Sequence, residues 1–383
     1  MRVAIFTDTF LPQINGVTNT LEKLIRYFED NKIDYRVFAP QDGNEEYNHK
    51  IVRFFSFKFF LYPECRVSLP NYISISEQLN AFKPDLIHVV TPFNIGLCGL
   101  KYARDAQIPL VSSYHTNIPQ YLEYFNLKFL SNVSWGFFKW FHSFCAKTYC
   151  PSQMTLELLR SQGIENLEIW GRGIQVEKYS PKYRSTMMRK EMNLENKTVF
   201  LYVGRISPEK DLDIFMKVAQ RLNEKYQEHI HFMMVGDGPL TKTLRETAPG
   251  NMTFTGFLEG ENLSAMYASS DIFLFPSSTE TYGNVILEAM ASEIPVIACN
   301  AGGILENLID GYNGIGCQER QVESFYRASE RLLLNYEIRK QLAVTGRKYA
   351  MDMGWDHVFE RLVHSYQRVI ADAKYLSNNK RTA

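Results

Sequence analysis

The chain carries no charge excess of either sign: Lys+Arg and Asp+Glu number 42 each in 383 residues. A nucleic-acid-binding protein ordinarily shows a basic surplus, so no nucleic-acid partner is expected. Nor is there a C-x-x-C pair. Cys65, Cys98, Cys145, Cys150, Cys299 and Cys317 have no histidines at zinc spacing and read as reduced thiols of a cytoplasmic protein. Long apolar runs are missing as well. The opening MRVAIFTDTFLP offers only a five-residue apolar stretch before Thr7 and Asp8, too short for a signal peptide or a membrane span. Low-complexity segments and short repeats are absent.

What is present is an ordinary globular composition, 45% apolar and 22% charged, over a length that suits two domains. RVAIF (2–6), YRVFAP, DLIHVV (85–90) and PLVSSY (109–114) read as strands. Between them lie segments such as TNTLEKLIRYFED, with Leu21, Leu24, Ile25 and Phe28 at helical spacing. The pattern restarts near residue 197 with KTVFLYVGR, then IHFMMVG, NMTFTG, DIFLFP and IPVIACN. Asp211 is expected to N-cap the helix DLDIFMKVAQRLNEKY. Strands alternating with helices imply parallel sheets covered on both faces. The fold class is therefore α/β, with two Rossmann-like, doubly wound domains facing a cleft. WGRGIQVEKYSPKYRSTMM has glycines, a proline and broken periodicity, and reads as the linker, placing the boundary near residues 172–190. WDHVFERLVHSYQRVIADAKYL is a last amphipathic helix.

Ligands of such sheets bind at the carboxyl ends of the strands, so the loops there matter most. VGRISPEK leaves a strand with Arg205 and Lys210, two cations suited to a diphosphate beside a helix start. The D-x-D at Asp211 and Asp213 is read as capping, not metal ligation. MVGDGPL holds Gly236, Asp237 and Gly238, and glycines there would let a base or ribose approach the backbone. SSTETYGNVILEAMAS sets Glu280 just before a helix and Glu288 just over one turn inside it. The N–H groups of Gly283, Asn284 and Val285 at that helix start would face an anion, and the carboxylates would accept from vicinal hydroxyls. A nucleotide-diphospho-sugar has both features. In the first half, Gly16 precedes a helix and His115 follows a strand.

Together these residues resemble the retaining glycosyltransferases of the two-domain GT-B fold, family 4. The resemblance rests on the Gly16 loop, the His115 loop, GRISPEK, GDGP, and the E-x7-E element Glu280 to Glu288 followed by AGG, and covers nearly the whole chain. SYHTNIPQYL and WGRGI are similar to the subgroup acting on glycolipids, which includes α-mannosyltransferases using GDP-mannose and sulfoquinovosyl-diacylglycerol synthases. The resemblance implies an acceptor-binding domain at 1–175, with helix 356–383 packing back on it, and a donor-binding domain at 176–355. It implies that His115, Arg205, Lys210 and Glu280 act at the reacting centre. Arg205 and Lys210 would hold the diphosphate, with the Gly16 N–H contacting the same phosphates. Glu280 would bind the transferred sugar and Glu288 the ribose. Gly236, Asp237 and the segment around Phe257 would line the base pocket, and Gly283, Asn284 and Val285 complete the donor contacts.

The activity so implied moves a hexose from GDP-mannose or a UDP-hexose to a lipid or glycan acceptor. Two cations replace a metal, so no metal and no cofactor are expected. FFSFKFFLYPECR (54–66) and SWGFFKWFHSFCAK (134–147) interleave aromatic and basic residues, which suits both a packed core and peripheral contact with a bilayer. The expected location is the cytoplasm, with reversible attachment at the inner face of the cell membrane. A sugar-nucleotide epimerase and a non-catalytic sugar-nucleotide binder stay open as alternatives.

Overall fold

The computed structural model describes residues 1–13, 15–43, 48–58, 66–115, 128–280 and 282–382. Contacts divide the chain into two compact units: unit 1 is Met1–Arg172 with Trp355–Ala383, and unit 2 is Gly173–Gly354.

Unit 1 is built on a seven-stranded sheet of β1 (Arg2–Phe6), β2 (Asp34–Pro40), β3 (Ile51–Phe54), β6 (Leu86–Val89), β7 (Leu110–Ser113), β8 (Lys147–Cys150) and β9 (Leu167–Ile169). Their order is β3-β2-β1-β6-β7-β8-β9 and every pairing is parallel. Between β3 and β6 in the chain, β4 (Ser56–Lys58) and β5 (Arg66–Ser68) pair antiparallel by themselves. Strands such as Val3–Phe6 and Leu86–Val89 are apolar almost throughout because both faces of the sheet are covered. On one face, Leu21, Leu24 and Phe28 of helix Gly16–Asp30 pack with Val358, Phe359, Leu362 and Tyr366 of helix Trp355–Thr382. On the other, Ile75, Leu79, Ile95, Leu100 and Phe141 form a second core. Burying each such side chain contributes roughly 1.5–3 kcal/mol. His88, in the middle of β6 and fully buried, is held between Tyr366 at Nδ1 and Ser113 at Nε2, each at 2.7 Å. Burial pushes its pKa down to about 3, so it is neutral and serves as a polar tie between sheet and last helix.

Unit 2 repeats the plan with β10 (Thr198–Val203), β11 (Ile230–Val235), β12 (Met252–Gly256), β13 (Ile272–Phe275), β14 (Val296–Cys299) and β15 (Ile315–Cys317), in the order β12-β11-β10-β13-β14-β15. All its pairings are parallel. The expected α/β architecture of two parallel, helix-covered sheets is thus the observed one.

One local expectation is corrected. The stretch read as a linker is not loose. It contains the short helix Thr186–Glu191, capped by Ser185, and it is fastened into unit 2 by Asp271. That carboxylate accepts from Arg184 (3.0 Å), Arg189 (2.9 Å) and the Val199 N–H (2.9 Å). Arg189 is buried and also donates to the carbonyls of Ser269, Leu194 and Lys197 at 2.6–2.7 Å. Within SWGFFKWFHSFCAK, helix Lys128–His142 buries Phe138 and Phe141 and exposes Trp140; just ahead of that stretch it exposes Phe129 and Val133. Part of the other aromatic stretch, 59–65, lies outside the described residues, as does most of SYHTNIPQYL. Of the former, Phe54 is buried and Phe55 and Phe57 are exposed. No helix among the described residues is long and apolar enough to cross a membrane.

Arg189→Ala strands Asp271 and three buried carbonyls, so it is expected to lower unfolding free energy by about 3–5 kcal/mol. Arg189→Lys is expected to recover little, because one ammonium cannot reach four acceptors set around a planar fork. Urea titration of the purified variants checks both.

Candidate active site

The carboxyl ends of β10, β11, β13 and β14 bring the unit 2 candidates to one edge of the sheet. The loops after β10 and β11 are joined backbone to backbone. Gly204 N–H donates to Val235 O at 3.0 Å, Ile206 N–H to Asp237 O at 3.0 Å, and Leu240 N–H to Ile206 O at 3.1 Å. A Cβ on Gly236 would sit 1.9 Å from Gly204 O, and one on Gly238 would sit 2.3 Å from Ile206 O. The close approach that these glycines serve in the structure is therefore between the two loops themselves. Asp237 closes its own turn, accepting from Gly238 N–H and Thr241 Oγ1, both at 2.7 Å. The Thr241 hydroxyl is the main cause holding its carboxyl below the usual range.

Arg205 is exposed at the end of β10, its carbonyl anchored by the Tyr202 hydroxyl at 3.0 Å. Lys210 ends the single turn Pro208–Lys210, and its Nζ lies 2.5 Å from Glu280 Oε1. Both side chains of this pair are mostly buried, 17% and 21% exposed. Asp211 departs from expectation. It stands at the start of helix Leu212–Tyr226 but makes no cap bond; its carboxylate accepts instead from Ser278 N–H (3.2 Å) and Ser278 Oγ (2.8 Å). Its φ of +50° is the cause, since a capping side chain needs extended backbone at that position.

The loop after β13 carries Glu280 into helix Asn284–Ala291. Gly283 precedes the helix with φ +73°, a left-handed turn that glycine adopts without strain. The N–H groups of Gly283, Asn284 and Val285 lie where a helix has no carbonyl of its own to offer. Gly303 N–H holds the Glu280 carbonyl at 2.7 Å, and Asn307 Nδ2 holds the Tyr282 carbonyl at 2.5 Å. Glu288 points into a tyrosine cage. Tyr267 Oη donates to it at 2.8 Å, Tyr179 bonds it as well, and the two rings meet edge to face at 5.5 Å. Burial pushes the Glu288 carboxyl up to about 7, against the opposing effect of the two hydroxyls.

In unit 1, Asn15 caps helix Gly16–Asp30, accepting from Val17 and Thr18 N–H at 3.0 Å each. Gly16 has no positive φ, and a Cβ there would meet only Arg172 Nη2, at an ordinary 3.6 Å. Neither its backbone nor its described neighbours demand glycine. His115 stands beyond β7 with its ring edge-on to Trp170 at 5.0 Å. Burial first and Arg172 second push its pKa down to about 4, so it is neutral at physiological pH. Its Nε2 is buried without a hydrogen bond.

The structure thus gathers Arg205, Lys210, Gly236, Asp237, Glu280, Gly283, Asn284, Val285 and Glu288 on the strand ends of unit 2, and Gly16, His115 and Arg172 in unit 1. Tyr179, Tyr267, Asp211 and Arg172 were not among the expected site residues. Tyr179 and Arg172 sit in the stretch read as linker, where their exact partners follow from the fold and not from any local pattern.

With two parallel-sheet units and a cation–carboxylate pair beside a helix start on the page, the chain can be compared with known proteins. The family model described as Glycosyltransferase Family 4 matches residues 14–178, and that described as Glycosyl transferases group 1 matches 184–349. A GDP-mannose-dependent alpha-mannosyltransferase of Corynebacterium glutamicum is 31% identical over 97% of this chain and 90% of its own. An alpha-monoglucosyldiacylglycerol synthase of Streptococcus pneumoniae is 28% identical over 81% of this chain and 73% of its own. Among solved structures, a glycosyltransferase from Rickettsia africae superposes with TM-score 0.68 at 14% identity, covering 96% of this chain and 98% of that one. The chain belongs to the family 4 glycosyltransferases; it is an enzyme, with the GT-B type of fold.

The elevated Glu288 pKa has a signed consequence. Below pH 4.5 the carboxyl is neutral folded and unfolded. As pH rises from there to about 7 the unfolded chain ionises first, so folding stability falls across that window and is lower by at most ~3 kcal/mol above it. Glu288→Gln keeps an acceptor for Tyr267 and removes the titration. Its stability relative to the unsubstituted protein is expected to be flat below pH 4.5, to rise through the window, and to level off above it. Urea midpoints measured from pH 4 to pH 8.5 test this.

Proposed function

We propose that this enzyme transfers a hexose, with retention at the anomeric carbon, from GDP-mannose to a lipid acceptor, without a metal ion. The observation that carries the reading is the Lys210–Glu280 contact of 2.5 Å beside the start of helix Asn284–Ala291. A cation for phosphate and a carboxylate for sugar hydroxyls stand side by side. Lysine keeps two further donors and Glu280 keeps its second oxygen for a ligand. Arg205 and Lys210 hold the diphosphate and neutralise the charge that grows on it as the C1–O bond breaks. The acceptor hydroxyl joins C1 on the same face and its proton passes to the departing phosphate oxygen. Catalysis by this route is mostly positioning and charge stabilisation. Glu288, Gly283, Asn284 and Val285 take the nucleoside and phosphate end, with Gly236 and Asp237 lining the base. In unit 1, the Gly16 N–H is assigned to phosphate and the neutral His115 to sugar hydroxyls.

GDP-mannose is favoured over a UDP-hexose by the Corynebacterium glutamicum relative. A lipid acceptor is favoured by the Streptococcus pneumoniae relative and by helix Lys128–His142. That helix has no acidic residue and exposes Phe129, Val133 and Trp140 along one stripe, with Lys139 exposed to one side of it, a pattern suited to an anionic bilayer surface.

A thermal-shift screen tests the donor first. At a hundred times its dissociation constant a ligand stabilises by about 2.7 kcal/mol, so GDP and GDP-mannose are expected to raise Tm, and UDP to do so less. A shift with UDP-sugars alone would reassign the donor; no shift with any nucleotide would count against the reading. Arg205→Ala is expected to lower kcat by roughly 10²–10³-fold, and turnover is expected to survive EDTA. Co-sedimentation with anionic vesicles, weakened in a Phe129→Ser, Trp140→Ser variant, tests the membrane face.

A further inference from the structure

The segment that carries Lys210 is stitched to the segment that carries Glu280 residue by residue. Thr279 Oγ1 donates to Glu209 O at 2.8 Å, Lys210 Nζ to Glu280 Oε1 at 2.5 Å, and Ser278 N–H and Oγ to Asp211 at 3.2 and 2.8 Å. From the other side, Gly303 N–H fixes the Glu280 carbonyl at 2.7 Å. Within this seam Asp211 is the anomaly. It is a non-glycine residue at φ +50°, ψ +37°, a conformation that carries a cost for any side chain. It also stands at a helix start, where aspartate normally bonds its own helix, and does not. Both departures are resolved by the same two bonds to Ser278. The second carboxylate oxygen faces Arg320 Nε at 3.5 Å, and the aspartate side chain is only 13% exposed.

We propose that Asp211 is a positioning residue for the transfer reaction: it locks the Glu280 loop through Ser278 so that the Glu280 carboxylate meets the Lys210 ammonium in fixed geometry. The backbone at 211 would be more comfortable as glycine. Aspartate is retained there for what it does across the loop. The inference rests on the transferase reading of Lys210 and Glu280, and its effect belongs in the chemical step more than in nucleotide binding, because a loosened Glu280 loop leaves Arg205 and Lys210 in place for the diphosphate.

Three variants separate this from a general structural role. Asp211→Gly relieves the left-handed backbone and deletes the Ser278 bonds. Asp211→Asn keeps an oxygen acceptor for Ser278 and tolerates the left-handed turn. Ser278→Ala removes the hydroxyl half of the contact from the other side. The expected result for Asp211→Gly is an unchanged or higher Tm, kcat lower by about ten- to a hundredfold, a Kd for GDP or UDP within threefold, and faster deuterium exchange confined to peptides covering 276–287. Asp211→Asn is expected to recover kcat to within about fivefold, with Ser278→Ala between the two.

Unchanged exchange at 276–287 in Asp211→Gly would overturn the proposal, as would full activity of that variant. Failure of Asp211→Asn to recover would overturn it too, and so would accelerated exchange throughout unit 2 with a matching fall in Tm. The exchange and nucleotide-binding measurements need no turnover. Should the unsubstituted enzyme transfer no sugar from the donors tried, the donor assignment fails while the locking of the loop is still decided by exchange.

Discussion

A parallel sheet sends the carboxyl ends of all its strands to one edge, and this constraint governs everything that the second unit does. The loops after β10, β11 and β13 are far apart in the chain and have no reason to know of one another except through the sheet. Once on the same edge they are bound tightly enough to become one surface. Gly236 and Gly238 lie against the backbone of the β10 loop because no Cβ stands between them, and Lys210 reaches Glu280 across an interval of 70 residues. The chemistry ascribed to the site follows from that compression. A lysine and a glutamate on separate flexible loops would be two solvated charges; a few ångströms apart and mostly buried, they are a dipole set beside a helix start.

Burial does different work at each ionisable group. Glu288, inside its tyrosine cage, is driven toward neutrality, and so are His115 and His88. Arg189 and Asp271 pair at 2.9 Å and tie the stretch before β10 to the sheet. At the carboxyl end of β10, by contrast, Arg205 is an exposed cation.

Much of this was legible in the sequence. The buried strands β1, β10, β13 and β14 announce themselves as largely apolar runs, and their alternation with amphipathic helices implies the parallel sheets. The loops with Arg205, Lys210, Glu280 and Glu288 follow from knowing where strands end. Short strands did not show: Leu167–Ile169 and Ile315–Cys317 are too brief for periodicity to register, and exist because a neighbouring strand offers its edge. Asp211 looked like a helix cap because local rules see only the next four residues. Tyr179 and Tyr267 could not be assigned to Glu288, since nothing in either segment encodes a partner so distant. The stretch around Arg184 and Arg189 looked like a linker for the same reason: its order comes from Asp271, far downstream.

The last helix has a consequence for how the protein is made. Val358, Phe359, Leu362 and Tyr366 complete a core whose other buried members run from Val3 to Trp170, while the whole of unit 2 stands between them in sequence. On the ribosome, unit 2 is therefore fully synthesised before unit 1 possesses its final layer. Through that interval the face of the first sheet bearing Leu21, Leu24 and Phe28 lacks its cover, and an apolar surface of that kind is what chaperones recognise. In this chain the unit that is begun first is the one completed last.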